Sequence, residues 1–345
     1  GQTISGLVGS CNGGLLATTM PDARRGSASG WLSAGNQCGA AVSSSVALYM
    51  TGHDWPPLTI GLVLAAMMII PSLAVLVIVE PVREVQRASA AFKATISDVR
   101  NVLFSKRGIT GILLCMSPVG TAALINYFSA IGIDYVAPGM DPSPASITVI
   151  QTVLLQDFET ARMTAASVLA DEPTTNLLAL LTGPLGAAVI AIGSVGGGYL
   201  CDRFNRRAMY LAAGVLVAIV GIAMALSPRS ETTLIWGALT YELVMGFAFT
   251  AFYAVVLESI GKGGTAAATQ YSLFVAAGNA AIAYVGLIDS QFHENHGVEG
   301  VVASDSALNI GGVIILGAVF WYMGFFKRKP KDPDPDVNAP VPAGT

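Results

Sequence analysis

The fold of this chain is decided by residues 58–79, which read LTIGLVLAAMMIIPSLAVLVIV and contain no charged side chain. A helix needs roughly 20 apolar residues to cross the hydrocarbon core of a bilayer, which is about 30 Å thick. Residues 58–79 are long enough to do so, and residues 208–226 form a second stretch without any charge. Two such segments predict a protein that crosses a membrane more than once.

The composition of the whole chain also indicates a lipid environment. Of 345 residues, 53% are hydrophobic and 12% are charged, and the mean hydropathy is +0.62. A soluble domain carries about 25% charged residues, so this chain has too few charges to cover a surface that faces water. The formal net charge of -4 is modest and indicates no nucleic-acid partner.

Nine apolar stretches predict transmembrane helices. They are residues 2–20, 28–51, 57–79, 109–132, 177–200, 208–226, 233–256, 266–288 and 307–326. Helices are expected because backbone N–H and C=O groups in lipid must find partners within their own segment. The alternating segments of about ten residues that are typical of a β-barrel do not occur in the sequence. The predicted fold class is therefore all-α, a polytopic membrane helix bundle.

The Lys and Arg residues fall in alternating segments between these stretches. All 18 lie outside the nine stretches, and all but Arg162 and Arg229 fall on one side if the stretches cross the membrane in turn. Cytoplasmic loops of membrane proteins carry an excess of Lys and Arg. The pattern predicts a cytoplasmic C-terminus and places Gly1 on the outer side.

The stretches and the charges divide the chain into four regions. These are residues 1–80 with three spans of an N-terminal half, 81–107 as a basic cytoplasmic linker, 108–326 as a six-span C-terminal half, and 327–345 as a disordered cytoplasmic tail. Within the C-terminal half, residues 133–176 are predicted to form a long outer loop. Its helix-like part, 147–170, either covers the outer mouth of a cavity or lies passively on the surface.

The strongest motif is GYLCDRFNRR, residues 198–207, directly after the fifth stretch. Gly198 would permit close packing of helices, and Asp202 could accept hydrogen bonds from free N–H groups at the N-terminus of a neighbouring helix. The motif resembles the G-x-L-x-D-R-x-G-R-R signature in cytoplasmic loops of the major facilitator superfamily.

The basic residues of this motif obey the charge pattern described above. Arg203, Arg206 and Arg207 are expected to hold the loop on the cytoplasmic side. Asn205 stands where the superfamily usually has Gly, and Asn also tolerates the left-handed backbone conformation.

A second motif supports the resemblance. PDARRG, residues 21–26, is followed by Gly30, Gly35 and Gly39, and it looks like the loop between the fourth and fifth helices of the superfamily. That superfamily has twelve helices in two six-helix halves, each built from inverted repeats. The resemblance therefore implies that the nine stretches are helices four to twelve, and that three further spans precede Gly1.

Two other segments resemble the muropeptide-permease and acetyl-coenzyme A transporter branch of the superfamily. They are SPVGT (117–121) with NYFSA (126–130), and FYAVVLE (252–258) with ATQY (268–271). The resemblance implies a secondary transporter of a bacterial inner membrane that moves a small polar or amphipathic solute by alternating access. A receptor or scaffold that keeps the same fold is the alternative.

The resemblance also implies that the first, fourth and seventh stretches line the central cavity. Their polar residues are candidates for contact with the substrate, namely Asn12, Asn126, Tyr127, Tyr241 and Tyr253. For Asn126 and Tyr127, hydrogen bonding between helices is an equal alternative.

Glu242 is the only acidic residue well inside one of the nine stretches. A charged side chain there costs on the order of 2.5–3.5 kcal/mol on insertion scales, and such residues usually face a cavity or a partner. One hypothesis is that Glu242 binds and releases a coupling proton, and the alternative is a structural glutamic acid hydrogen-bonded to another helix. Glu258 and Asp289 lie at the ends of stretches and are expected to be solvated or to cap helices.

The remaining sequence indicates no enzyme, since no nucleophile, phosphate-loop or dinucleotide motif occurs in a suitable setting. His293 and His296 are too few for a zinc site. The cysteines lie singly and are expected to be small core residues: Cys11, Cys38, Cys115 and Cys201. We expect a monomer without cofactor or metal, whose partners are lipid, a small-molecule substrate and protons.

Overall fold

The computed structural model describes residues 2–52, 55–73, 96–97, 100, 104–128, 131–132, 135, 181–260 and 267–324. Within these residues the chain is helical and forms no strand, which confirms the predicted fold class. The predicted outer helix at 147–170, most of the linker 81–107 and the tail 327–345 lie outside the described residues.

Eight α-helices are present in the described part of the chain. They are α1 (Gln2–Thr19), α2 (Arg25–Gly52), α3 (Pro57–Ser72), α4 (Lys106–Cys115), α5 (Gly186–Arg203), α6 (Arg206–Leu226), α7 (Glu231–Ile260) and α8 (Ala267–Tyr322). Turns of 3-10 helix occupy Asp22–Arg24 and Ala123–Tyr127, and a π-helical turn, Leu181–Leu185, precedes α5. We refer to α1–α3 as the N-terminal group and to α4–α8 as the C-terminal group.

Local side-chain chemistry fixes where several helices begin. Ser105 accepts a hydrogen bond from the backbone N–H of Gly108 at 2.9 Å and caps α4. Asn205 caps α6 by accepting from the N–H groups of Arg207 at 3.0 Å and Ala208 at 3.3 Å. Asn205 has φ -64° and ψ 118°, so it does not adopt the left-handed conformation that Asn tolerates. Its side chain instead caps α6, which a Gly at this position could not do.

Four of the described helical segments are long and apolar enough to cross a membrane. They are Gly183–Arg203, Arg206–Leu226, Glu231–Ile260 and Ala267–Tyr322. The segment Pro57–Ser72 is apolar but shorter, because the residues that follow it in the predicted third span lie outside the described part. The predicted number of nine spans therefore stays a prediction.

Helix α6 shows how the bundle meets lipid. Tyr210, Ala213 and Val217 are buried along one face. Large apolar side chains are exposed along another face at helical spacing, namely Val215, Leu216, Ile219, Ile222 and Leu226. A helix with apolar residues on all sides is expected where one side packs on protein and the other faces hydrocarbon.

Helix α8 reverses direction at Gly297, whose backbone angles are φ 63° and ψ -148°. The hydroxyl of Ser304 donates to the Asp289 carboxylate at 2.5 Å. These residues would lie roughly 22 Å apart in a straight helix, so residues 267–296 and 298–322 form an antiparallel pair. The predicted spans 266–288 and 307–326 left residues 289–306 between them as a loop. That prediction is wrong, because the helices extend almost to the glycine where they turn.

The fourth predicted span, 109–132, is also not a continuous helix. Helix α4 ends at Cys115, and residues 116–122 form an irregular segment before the 3-10 turn Ala123–Tyr127. Gly120 has φ +66° and Ala122 has φ 58°. We call residues 116–122 the break. Non-helical backbone at membrane depth is tolerated where it is buried in protein or lines a cavity.

The helices pack in a definite order around α7. Helix α5 packs most extensively against α2 and α7, while α6 packs against α7 and α8. The N-terminal group contacts the C-terminal group through α2 on α5 and through α1 on α8. The α1–α8 contact is close, since a Cβ added at Gly14 would lie 2.7 Å from the Cβ of Ala268.

The cysteines only partly fit the predicted core positions. Cys115 and Cys201 are buried, Cys38 is half-buried and Cys11 is exposed. The expectation is therefore wrong for Cys11, which lies on the outer surface of α1. All four are free thiols.

Candidate functional site

Asp202 joins the two groups of helices at one end of the bundle. Its carboxylate accepts hydrogen bonds from the backbone N–H groups of Gly26 at 2.7 Å and Ser27 at 2.9 Å, and from the hydroxyl of Ser27. These N–H groups belong to the first turn of α2, where a carboxylate is favoured by the free donors and by the helix dipole. The contact is of the kind predicted from the sequence. We call Asp202 with Gly26 and Ser27 the Asp202 cap.

The backbone beside the cap fits too closely for side chains. A Cβ added at Gly198 of α5 would lie 2.8 Å from the carbonyl oxygen of Gly26 and 3.2 Å from the Cα of Gly30. Glycine at these positions therefore lets α2 and α5 approach until Asp202 reaches the first turn of α2.

Basic residues surround the cap, and we call this end of the bundle the arginine-rich end. The buried guanidinium of Arg25 donates to the carbonyl oxygens of Leu257 at 2.8 Å and Ala17 at 3.1 Å, and it pairs with Asp22 at 2.9 Å. Because a guanidinium carries five donors, Arg25 can tie the end of α1 to the end of α7.

The arginines of the loop between α5 and α6 lie at the same end. Arg207 pairs with Glu258 at 2.8 Å and Arg206 lies 3.9 Å from the same carboxylate. Arg206 also donates to the backbone carbonyl of Asp22, while Arg203 is exposed. Glu258, expected from the sequence to be solvated or capping, is thus an ion-pair partner of two arginines.

The middle of the bundle contains a junction of small polar residues. The hydroxyl of Ser194 on α5 lies 3.0 Å from that of Ser33 on α2 and donates to the carbonyl of Gly246 on α7 at 3.1 Å. Thr250 of α7 donates to the Ser194 carbonyl at 3.0 Å. Small residues allow membrane helices to approach closely and to hydrogen-bond across their interface. Three helices are joined here in this way.

Glu242 lies on α7, roughly 16 Å along the helix from its first residue. The side chain is 1% exposed, and a Cβ added at Gly186 of α5 would lie 2.5 Å from its Oε1 atom. Its carboxyl group therefore faces the start of α5. The structure thus places Glu242 inside protein rather than against lipid. This agrees with the sequence, because a charged side chain within a span is costly and usually faces a cavity or a partner.

Tyr241 points to the other side of α7, because neighbouring residues of a helix project about 100° apart. Its hydroxyl donates to the Asp305 carboxylate at 2.8 Å. Asn309 donates to the same carboxylate oxygen of Asp305 at 3.4 Å. We call Tyr241, Asp289, Ser304, Asp305 and Asn309 the Asp289–Asp305 cluster.

The sequence did not predict this cluster. Asp289 and Asp305 are both 0% exposed, so the expectation that Asp289 is solvated or a cap is wrong. Glu242 is therefore one of three buried acidic residues in the described part of the chain, together with Asp289 and Asp305. The polar sequence between residues 289 and 306 indicated a loop, and only the reversal at Gly297 reveals that these residues face each other.

The break is held by side chains from two other helices. Tyr210 of α6 donates to the carbonyl of Val119 at 2.7 Å, and Tyr284 of α8 donates to the carbonyl of Met116 at 2.8 Å. The backbone N–H of Gly120 donates to Oδ1 of Asn309 at 2.9 Å. These contacts satisfy backbone groups that a continuous helix would have satisfied internally.

Replacement of Gly120 by alanine is expected to lower thermal stability. The residue has φ +66°, and its Cβ would lie 3.0 Å from the Cβ of Ala248. The left-handed conformation alone costs an L-residue about 1–2 kcal/mol. The thermal midpoint of purified protein should fall, whereas Gly311→Ala, at a position with no atom within 4 Å of an added Cβ, should leave it nearly unchanged. Equal midpoints for the two variants would contradict this account of the break.

The other cavity candidates do not converge on one point. Tyr127 is buried and its hydroxyl donates to the carbonyl of Gly286 at 2.9 Å, which is a contact between helical elements. Tyr253 stacks on Tyr271 with ring centroids 6.5 Å apart. Asn12 is exposed, and the side chain of Asn126 lies outside the described part of the structure.

The histidines near Gly297 lie in helix rather than in a loop. The ring of His293 lies 6.1 Å from that of Tyr127, and His296 stacks on Phe292 at 6.0 Å. Among the described residues, no group of three or more His, Cys, Asp or Glu side chains is arranged to hold a metal ion.

The fold and these sites define a polytopic helical membrane protein whose two groups of helices meet at an arginine-rich end. Residues 3–286 match the family model of the Major Facilitator Superfamily, and the chain belongs to that superfamily. A segment of 72 residues is 36% identical to solute carrier family 22 member 1 of Bos taurus. This segment covers 21% of the chain and spans only 13% of the length of that relative. Both matches support the prediction that the chain is not an enzyme.

Proposed function

We propose that the chain forms part of a secondary transporter that moves a small polar or amphipathic solute by alternating access. The observation that carries this proposal is the Asp202 cap, which joins the N-terminal and C-terminal groups by hydrogen bonds and not by covalent connection. Such a contact can open and close as the two groups rock about a site between them, as in secondary transporters built from repeats. Membership of the superfamily supports the same proposal.

We further propose that the arginine-rich end faces the cytoplasm. The charges of Arg24, Arg25, Arg203, Arg206 and Arg207 support this orientation, which also puts the C-terminus inside. A bacterial inner membrane remains our proposed location, although the relative named above is bovine. A sugar-peptide or a coenzyme A-like compound is the proposed substrate class, and the residues 117–121 and 252–258 support it by resemblance alone.

Uptake into proteoliposomes tests the proposed function. The full-length protein would be reconstituted, and accumulation of a labelled muramyl peptide and of acetyl-coenzyme A would be followed with an imposed proton gradient. We expect saturable uptake of one of them that collapses when a protonophore is added. A protein that binds a probe without moving it into the lumen would instead be the receptor or scaffold.

Replacement of Glu242 by glutamine is expected to abolish gradient-driven accumulation down to the level of empty liposomes. Glutamine has nearly the same shape but cannot carry the proton that the proposal assigns to Glu242. Exchange of substrate across the membrane without a gradient should survive, because it requires the moving helices but no net proton transfer.

Glu231→Gln provides the matched control on the same helix, since Glu231 lies exposed in the first turn of α7. It should accumulate substrate like the wild type. Unchanged proton-driven uptake in the Glu242→Gln protein would remove the coupling role and leave the structural alternative.

A further inference from the structure

The Asp289–Asp305 cluster contains two buried carboxyl groups that are only half satisfied. Ser304 donates to Oδ1 of Asp289, while Tyr241 and Asn309 donate to Oδ2 of Asp305. The remaining oxygens, Oδ2 of Asp289 and Oδ1 of Asp305, are buried and have no hydrogen-bond partner within the described residues. A buried polar atom without a partner is costly, and each such atom in a native protein requires an explanation.

The two carboxyl groups also act on each other electrostatically. None of the ion pairs in the described part of the chain involves either of them, and the nearest one in the sequence joins Arg229 to the exposed Glu299. Two like charges in a buried site cannot both remain ionised without compensation, so one carboxyl group of such a pair is usually protonated.

The surroundings of the cluster contain tyrosine hydroxyls, backbone, the imidazole of His293 and the carboxylate of Glu294. Helix α7 supplies Tyr241, and the 3-10 turn supplies Tyr127, which interacts electrostatically with Asp289 and with Glu294. The ring of His293 lies against Tyr127. Helix α6 supplies Gly221, which faces the hydroxyl of Ser306. Within the described residues these elements bring no Lys or Arg into contact with the pair.

We propose that the Asp289–Asp305 cluster is a proton-binding site. A hydronium ion transfers a proton to one of the two free carboxylate oxygens. Its O–H bond breaks, a carboxyl O–H bond forms and a neutral water molecule leaves, so the negative charge of the pair falls by one. A metal cation fits less well, because Ca²⁺ and Mg²⁺ require about six oxygen ligands and the hydroxyls of Ser304 and Tyr241 already direct their hydrogens at the carboxylates.

The site is connected to the break through one residue. Asn309 donates to Asp305 and accepts from the backbone N–H of Gly120. A change in the charge of Asp305 therefore acts on a side chain that holds the irregular segment of the fourth span. Proton binding at the cluster is in this way linked to the conformation of residues 116–122.

Infrared difference spectroscopy of the full-length protein in lipid nanodiscs tests the proposal. The reference protein carries Glu242→Gln, so that Asp289 and Asp305 are the remaining buried acids among the described residues. We expect a pH-dependent carbonyl band of a protonated carboxyl group that shifts in deuterated water. Asp305→Asn should remove this band, and Asp289→Asn should remove or strongly reduce it. Glu299→Gln, an exposed residue of the same helical pair, should leave it intact.

Three results would overturn the proposal. They are the absence of any such band in the reference protein, a band that persists unchanged in both aspartate variants, and a band that responds to replacement of sodium by potassium at fixed pH, which would indicate a cation site. The first and third results require no variant of the cluster, so they stand even if Asp305→Asn fails to fold. The band reports protonation and not transport, so its absence would leave the proposed function untouched.

Discussion

Replacement of Gly193 by valine is expected to prevent assembly of the bundle. A Cβ at this position of α5 would collide with the backbone carbonyl of Leu243 on α7, and a backbone atom cannot move aside as a flexible side chain can. Overpacking of a well-packed interior costs about 1–3 kcal/mol and occasionally more. We expect the upper end of this range here, with loss of the monodisperse peak in size-exclusion chromatography and a large fall in thermal midpoint.

Gly196→Val is the matched control for this prediction. Gly196 lies on the same helix one turn away, is exposed, and has no atom within 4 Å of an added Cβ. The same substitution there should yield a protein that elutes and melts like the wild type. Similar behaviour of the two variants would contradict the close α5–α7 contact.

In the Asp202→Asn protein, we expect the two groups of helices to be separated at the arginine-rich end for a larger fraction of the time. The change removes the charge that α2's first turn stabilises, and hydrogen bonds to a charged group are worth about 1.5–3 kcal/mol. A loss of about 1.4 kcal/mol shifts an equilibrium tenfold. The native thiol of Cys201 reports this shift, because it is buried in a cluster that includes Ala17 of α1. Its modification by N-ethylmaleimide should become about tenfold faster.

Two internal controls accompany this measurement. Cys11 is exposed and should react at the same rate in every variant. Asp22→Asn removes a nearby carboxylate. The Asp22 side chain is largely exposed, and its one described ion pair is to Arg25. Asp22→Asn should therefore change the modification rate of Cys201 by less than Asp202→Asn does. A rate for Cys201 that does not change in the Asp202→Asn protein would show that the cap does not hold this end closed.

Features that depend on a local pattern of residues could be predicted from the sequence. The apolar run at 208–226 predicted α6 to within two residues of its start, because a helix in lipid is set by its own length and hydrophobicity. The position of Asp202 after an apolar span and before a basic loop likewise indicated a contact with a helix N-terminus. The role of Asp202 in transport stays a prediction.

Features that depend on tertiary contact could not be predicted in this way. Residues 116–122 contain Pro118 and Gly120, which weaken a helix, but the form of the break depends on Tyr210, Tyr284 and Asn309, which satisfy its backbone from helices distant in sequence. Asp289 and Asp305 were expected in a loop because each charged residue lowers the mean hydropathy of its own segment. Hydropathy does not show that two such residues meet inside the protein. Their burial depends on a reversal at a single glycine, which no periodicity shows.

The central claim is that the two groups of helices move relative to each other at the arginine-rich end. Spin labels at Met20→Cys and Phe204→Cys, both exposed there on opposite groups, would measure this in full-length protein in nanodiscs after replacement of the native cysteines. Pulsed electron spin resonance should give two distance populations, with the longer one enriched by Asp202→Asn. A single narrow distance that is the same with and without Asp202→Asn would contradict the account.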